Sequence, residues 1–229
     1  MEQRADNSAY TSQGKVILGC VPVALGQAIA FKKYDYLPAI SAMWNDINNI
    51  GDITGTRYED VVAQYLSDLA YRLRISITPT GTNSKEWKML KYLDSVKNIH
   101  KINFEHIEKP GYSTMQEKDI LMNYFSDAVQ KKDPVIIMSE VKTKEGTAGH
   151  AFVVDGVKYS MGELYEIIGT EYGGGINKMY NTLGFKHYLW INCNWGWGGN
   201  SDGLYDYENL KIRKYDYTFT DIYSFTRLK

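Results

Sequence analysis

Apolar residues recur at helical spacing from Val21 through Ala24, Leu25, Ala28 and Ile29, which places Cys20 at the N-terminal edge of a buried helix. Pro22 fits the first turn of that helix, where a missing N–H leaves no hydrogen bond unmade. Val62, Leu66, Leu69 and Leu73 mark a second amphipathic helix, and a third is predicted near Lys85 to Leu93, after the turn-rich stretch Thr78 to Ser84. Thr114 and Glu117 have capping-box spacing and open a fourth helix, with Ile120, Leu121, Tyr124 and Ala128 on its apolar face. Beyond Asp133-Pro134 the pattern changes. Val135 to Met138, Ala151 to Val157 and Tyr188 to Cys193 are short runs of β-branched and aromatic residues, predicted as strands, and the aromatic tail from Leu204 to Phe225 is also strand-like. His100 and His106 are expected to flank a charged loop, and His187 to lie on the surface beside Lys186.

Helices first and strands second predict an α+β domain. We expect one domain over residues 1–229, with a helical lobe over about 16–131, a sheet lobe over about 132–229 and a cleft between them. The chain has 229 residues, 44% hydrophobic and 23% charged, enough to bury a sizeable core. Its formal net charge of −1, with no long basic run, gives no basis for binding nucleic acid or an anionic membrane and makes peptides the expected partners. No transmembrane segment is expected: Val16 to Phe31 is interrupted by Pro22 and Gln27 and falls short of the roughly 20 residues a span needs. Ile17-Leu18-Gly19-Cys20 imitates a lipoprotein cleavage box, but the preceding Asn7 to Lys15 is mostly polar where that box needs an apolar stretch. No signal peptide is visible at Met1, which fits either a mature domain or a cytoplasmic protein.

The candidate chemistry lies in three places. A thiol reacts as its thiolate, and Cys20 at a helix N-terminus would feel the partial positive charge of unpaired N–H groups. His150, after Gly149 and before Ala151-Phe152-Val153-Val154-Asp155-Gly156, sits at the mouth of a predicted buried strand, where an imidazole can act as general acid and base. The run Asn192-Cys193-Asn194-Trp195-Gly196-Trp197-Gly198-Gly199 offers side-chain amides and aromatic cover. Asn192 and Asn194 share one strand face, with Cys193 opposite, while the glycines let the backbone turn tightly beside an extended peptide. Cys-x-x-Cys, His-Glu-x-x-His and phosphate-loop patterns are absent, and Gly173-Gly174-Gly175 is expected to be a flexible turn, so neither a metal nor a nucleotide cofactor is expected.

In order and in wording, Gly19-Cys20-Val21, Gly149-His150-Ala151-Phe152-Val153 and Asn194-Trp195-Gly196-Trp197-Gly198-Gly199 resemble the streptopain family of papain-like bacterial cysteine peptidases, from roughly Gly19 to Tyr205. The resemblance implies a papain-like fold in which a helical lobe with the nucleophile packs on an antiparallel sheet lobe with the His and Asn. It implies a cysteine endopeptidase, secreted or on the bacterial cell surface, acting on peptide or protein substrates without a cofactor and subject to a propeptide or a protein inhibitor. Cys20 is then the nucleophile, His150 the acid and base, and Asn194 the orienting amide, with Asn192 its rival. Gly149, Trp195 and Trp197 would border the cleft. Alternatives are a catalytically impaired peptide-binding module and a papain-like amidase or acyltransferase. The family's oxyanion-supporting Gln lies well upstream, in a Trp-x-Gln stretch absent from the residues before Cys20. Gln13 is the candidate donor here, against its reading as a solvated turn residue. The segment Lys158 to His187 is longer than the family's turn, and either shapes substrate access or extends a hairpin.

Overall fold

A computed structural model describes residues 4–6, 15–32, 43–50, 55–78, 81–83, 86–100, 102–108, 114–144, 146–172, 175–196, 201–207, 210–212 and 215–227. Five helices are found among these residues: α1 (Cys20–Lys32), α2 (Trp44–Ile50), α3 (Tyr58–Arg72), α4 (Glu86–His100) and α5 (Met115–Gln130). The strands are β1 (Arg4–Asp6), β2 (Lys15–Ile17), β3 (Ser76–Thr78), β4 (Gly81–Asn83), β5 (Ile102–Glu108), β6 (Val135–Thr143), β7 (Gly146–Tyr172), β8 (Gly175–Asn194), β9 (Gly203–Asp206), β10 (Lys211–Ile212) and β11 (Tyr215–Arg227). Strands β10-β11-β6-β7-β8-β9 form one antiparallel sheet, with β5 paired to β11, and β1–β2 and β3–β4 form two small separate sheets.

Alternation along the central strands gives the sheet two apolar faces. Ile136, Ala151 and Val153 belong to a core with α1, α3 and α4, while Val135, Ile137, Phe152, Val154, Ile191 and Cys193 belong to a second core with Leu121, Phe125 and Ala128 of α5. Helix α1 is apolar on nearly every face, as a central helix must be: Val21 to Gly26 and Ala28 to Ala30 are all buried. Its far end is held by an ion pair between Lys32 and the buried Asp133, just before β6. Gly26 lets α3 approach closely, since a Cβ there would lie 2.5 Å from Leu66 Cδ2.

The expected helices correspond to α1, α3, α4 and α5, and the capping box at α5 is formed: Glu117 N donates to Thr114 Oγ1 at 3.2 Å, and Thr114 N donates to a Glu117 carboxylate oxygen at 2.9 Å. Two expectations change. The segment between His100 and His106, read as a charged loop, is largely strand β5, registered residue by residue against β11 from Ile102↔Arg227 to Glu108↔Asp221. Within the turn-rich stretch Thr78 to Ser84, Gly81–Asn83 form β4, paired with Ser76–Thr78 of β3. The long segment 158–187 extends the β7–β8 hairpin, whose pairing runs outward from Val153↔Asn194 to Tyr172↔Gly175. Beyond the reach of β6 and β9 this hairpin is a two-stranded ribbon, and Tyr159, Met161, Leu183 and Phe185 are exposed on it.

Candidate active site

Gly19 takes φ of 89°, a backbone state that side-chain-bearing residues disfavour, and the helix starts at the next residue, Cys20. The residue is half-buried and its thiol is free. Burial pushes the thiol pKa up from 9.0, opposed by hydrogen bonding to the backbone at Ala151, Cys20 and Val21. Such bonds favour the thiolate, so the backbone groups are N–H donors. Two of them are the free N–H groups of the helix start, and the third places the sulfur against the β7 residue that follows His150.

His150 pairs with Ser139 across β6–β7. The buried Ser139 hydroxyl donates to the His150 carbonyl at 3.0 Å, which anchors the backbone beside the imidazole. The ring stacks on Trp195, with centroids 5.5 Å apart and planes 13° apart, and borders Phe152 at 6.2 Å. Burial lowers its pKa from 6.5 to about 4, partly offset by a hydrogen bond to the Trp195 backbone. Because that bond favours the charged ring, the imidazole N–H donates and the Trp195 carbonyl accepts. Ala151 faces α1 while His150 joins the aromatic face, so the thiol and the imidazole lie against opposite faces of the sheet at successive positions of β7.

Asn194 ends β8 opposite Val153 and turns toward α1. Its Oδ1 accepts from Gln27 Nε2 at 3.0 Å and from Gly196 N at 3.1 Å. The next residue, Trp195, is fully buried on the opposite side, touching Tyr205 and Tyr217 as well as His150, and its backbone N–H donates to Asp202 at 2.8 Å. The rival amide, Asn192, is engaged elsewhere: its Nδ2 donates to Asp155 at 2.6 Å. Cys193 points into the second core, as alternation predicts, and burial raises its pKa well above the ordinary thiol range. Gly149 is exposed opposite Glu140, with room for a Cβ 3.7 Å from the Ser139 carbonyl oxygen. Gln13 and Trp197 lie outside the described residues.

Sequence reasoning passed over Gln27, using it only as an interruption of an apolar run. The signal was available: Gln27 is the one polar side chain between Val21 and Ala30 of a buried helix, and even a half-buried amide needs partners. With Asn194, Val153 and Asp155 it lines a cavity of ≈ 510 Å³.

The sequence profile of the peptidase C10 family matches residues 2–205. The chain belongs to that family, the streptopain family of cysteine peptidases. Among solved structures, the active wild-type interpain A cysteine protease of Prevotella intermedia is similar, with a TM-score of 0.61 and 20% identity over 97% of this chain and 90% of that one. Its likeness supports the α+β, papain-like architecture of mixed helix and antiparallel sheet. A comparison with curated proteins gives no match. Family membership makes this C10 chain a cysteine peptidase, with peptides or proteins as substrates.

Proposed function

We propose that this C10 peptidase is a bacterial endopeptidase, secreted or at the cell surface, that works as one peptidase domain through an acyl-enzyme on Cys20. The supporting observation is the thiol at the head of the central helix, bonded by the backbone of the strand residue next to His150. Burial favours the neutral form of both groups, so the resting pair is a thiol and a neutral imidazole. As Cys20 Sγ attacks the substrate carbonyl carbon, its proton passes to His150, and the carbonyl π pair moves to oxygen as the tetrahedral intermediate forms. Collapse breaks the C–N bond, and the imidazolium returns the proton to the leaving amine. Water, deprotonated by His150, then attacks the thioester and releases the acid with Cys20 reprotonated. Proton transfer requires the His150 ring to come round to the α1 side of β7 in the reacting complex, where catalytic pairs commonly tighten.

In this reading Asn194 orients His150 through the turn it holds: its Oδ1 fixes the Gly196 N–H, and the intervening Trp195 supplies the acceptor for the imidazole. The Cys20 backbone N–H serves the oxyanion, with Gln13 as the candidate second donor. Gly149 borders the cleft, and a propeptide or protein inhibitor would compete for it. The test is turnover of a denatured protein substrate. Cys20→Ala and His150→Ala should each abolish it while circular dichroism stays native, because nucleophile and base act as a unit. Wild-type turnover in Cys20→Ala would overturn the mechanism, and a folded wild type without turnover would favour a peptide-binding module.

A further inference from the structure

The Gln27 amide lies two turns into the helix that starts with the nucleophile, on an otherwise apolar stretch. Its Nε2 donates to Asn194 Oδ1 at 3.0 Å across 167 residues of sequence, and its Oε1 is buried without a hydrogen-bond partner. Amide oxygen and nitrogen are told apart only by what they bond. Here the assignment is forced, because the Gly196 N–H can only donate, which makes its acceptor on Asn194 the oxygen. The Gln27 atom facing that oxygen must then be the nitrogen.

We propose that Gln27 is a positioning residue of the peptidase reaction, clamping Asn194 from the nucleophile's own helix so that the Asn194-Trp195-Gly196 turn stays in register with Cys20. This rests on the assignment of Cys20 and His150 above. Gln27 is not assigned the role of a reacting group. It acts through Asn194, which accepts both the helix amide and the turn N–H on one oxygen. Without the clamp, the packing of Gly196 on Val23 is left to hold the register between α1 and the carbonyl that orients the imidazole.

The experiment is a double-mutant cycle on the 229-residue chain, read as kcat and KM on a fluorogenic peptide. Gln27→Met keeps the volume and removes the donor, and kcat should fall about three- to tenfold with KM within about twofold. In an Asn194→Ala background the same substitution should change kcat by less than about twofold, because its target is gone. Gln27→Glu supplies a second readout that a merely structural role would not move. Its carboxylate opposes Asn194 Oδ1 at neutral pH, and once protonated it becomes a donor, so activity relative to wild type should recover as pH falls. Wild-type kcat in folded Gln27→Met, or the same fold-loss in both backgrounds, would overturn the proposal. Should Gln27→Met not fold, a Gln27→Glu ratio flat in pH overturns it equally. Failure of the underlying mechanism is distinct: it appears as activity in Cys20→Ala, whereas failure here leaves Cys20→Ala inactive and Gln27→Met unimpaired.

Discussion

Acidification should destabilise this protein through His150 before most carboxylates titrate. In the unfolded chain the imidazole takes up its proton near 6.5, and in the native state burial defers this to about 4. Between those values the unfolded state binds more protons, so the stability contributed by the neutral imidazole is present above 6.5 and lost as pH falls toward 4. The proton-binding difference is worth about 2 kcal/mol at pH 5 and about 3 kcal/mol at pH 4. A loss of about 2 kcal/mol in a chain of this size corresponds to about 4–8 °C in Tm. Urea unfolding followed by tryptophan fluorescence at pH 7, 6 and 5 measures it, with His150→Gln as the reference that removes the titrating group. Common acid effects cancel in the comparison, and the wild type should lose about 2 kcal/mol more than the variant between pH 7 and 5. Parallel losses in the two proteins would refute the burial argument, as would an NMR titration placing the His150 pKa near 6.5.

Two further outcomes follow from packing. Brief iodoacetamide treatment should label Cys20 and spare Cys193, which is 1% exposed and held as a thiol by burial. Peptide mass spectrometry reads the site, and label appearing first on Cys193 would reverse the assignment. Gly26→Val should destabilise by about 1–3 kcal/mol through overpacking, since even a Cβ would lie 2.5 Å from Leu66 Cδ2 and 3.3 Å from Tyr65 Cε1. An unchanged urea midpoint would show that α3 yields freely.

What could be read from sequence was mostly local. The α5 capping box spans Thr114 to Glu117 and needs no distant partner, so its spacing alone identifies the helix start. Strand β5 was missed because Asn103, Glu105, His106 and Glu108 make the segment polar, and its strand character depends on β11, more than 100 residues away in sequence. The three catalytic candidates were recognisable as types flanked by family motifs. How Asn194 is held was not, because an amide partner such as Gln27 is set by tertiary packing and leaves no periodic trace. Asn194 shows the difference: the sequence suggests an amide facing an imidazole, and in the structure its oxygen is held by a helix side chain and a turn N–H.

Consecutive residues at the end of β8 each answer to a different constraint, which explains why that run must be so specific. Asn194 turns toward the α1 core and binds Gln27, whereas Trp195, one residue on, is carried by strand alternation into the α5 core and stacks on His150. Gly196 then takes φ of 71° and passes so close to α1 that a Cβ would meet Val23 Cγ1 at 2.9 Å. A side chain there would be strained by its backbone and blocked by α1 at once. The turn therefore joins both cores, and any displacement of α1 is felt at the imidazole through backbone atoms rather than through a flexible loop. This placement gives the imidazole a rigid neighbour on the Trp195 side, and it makes the register between α1 and β8 a determinant of where the His150 proton can go.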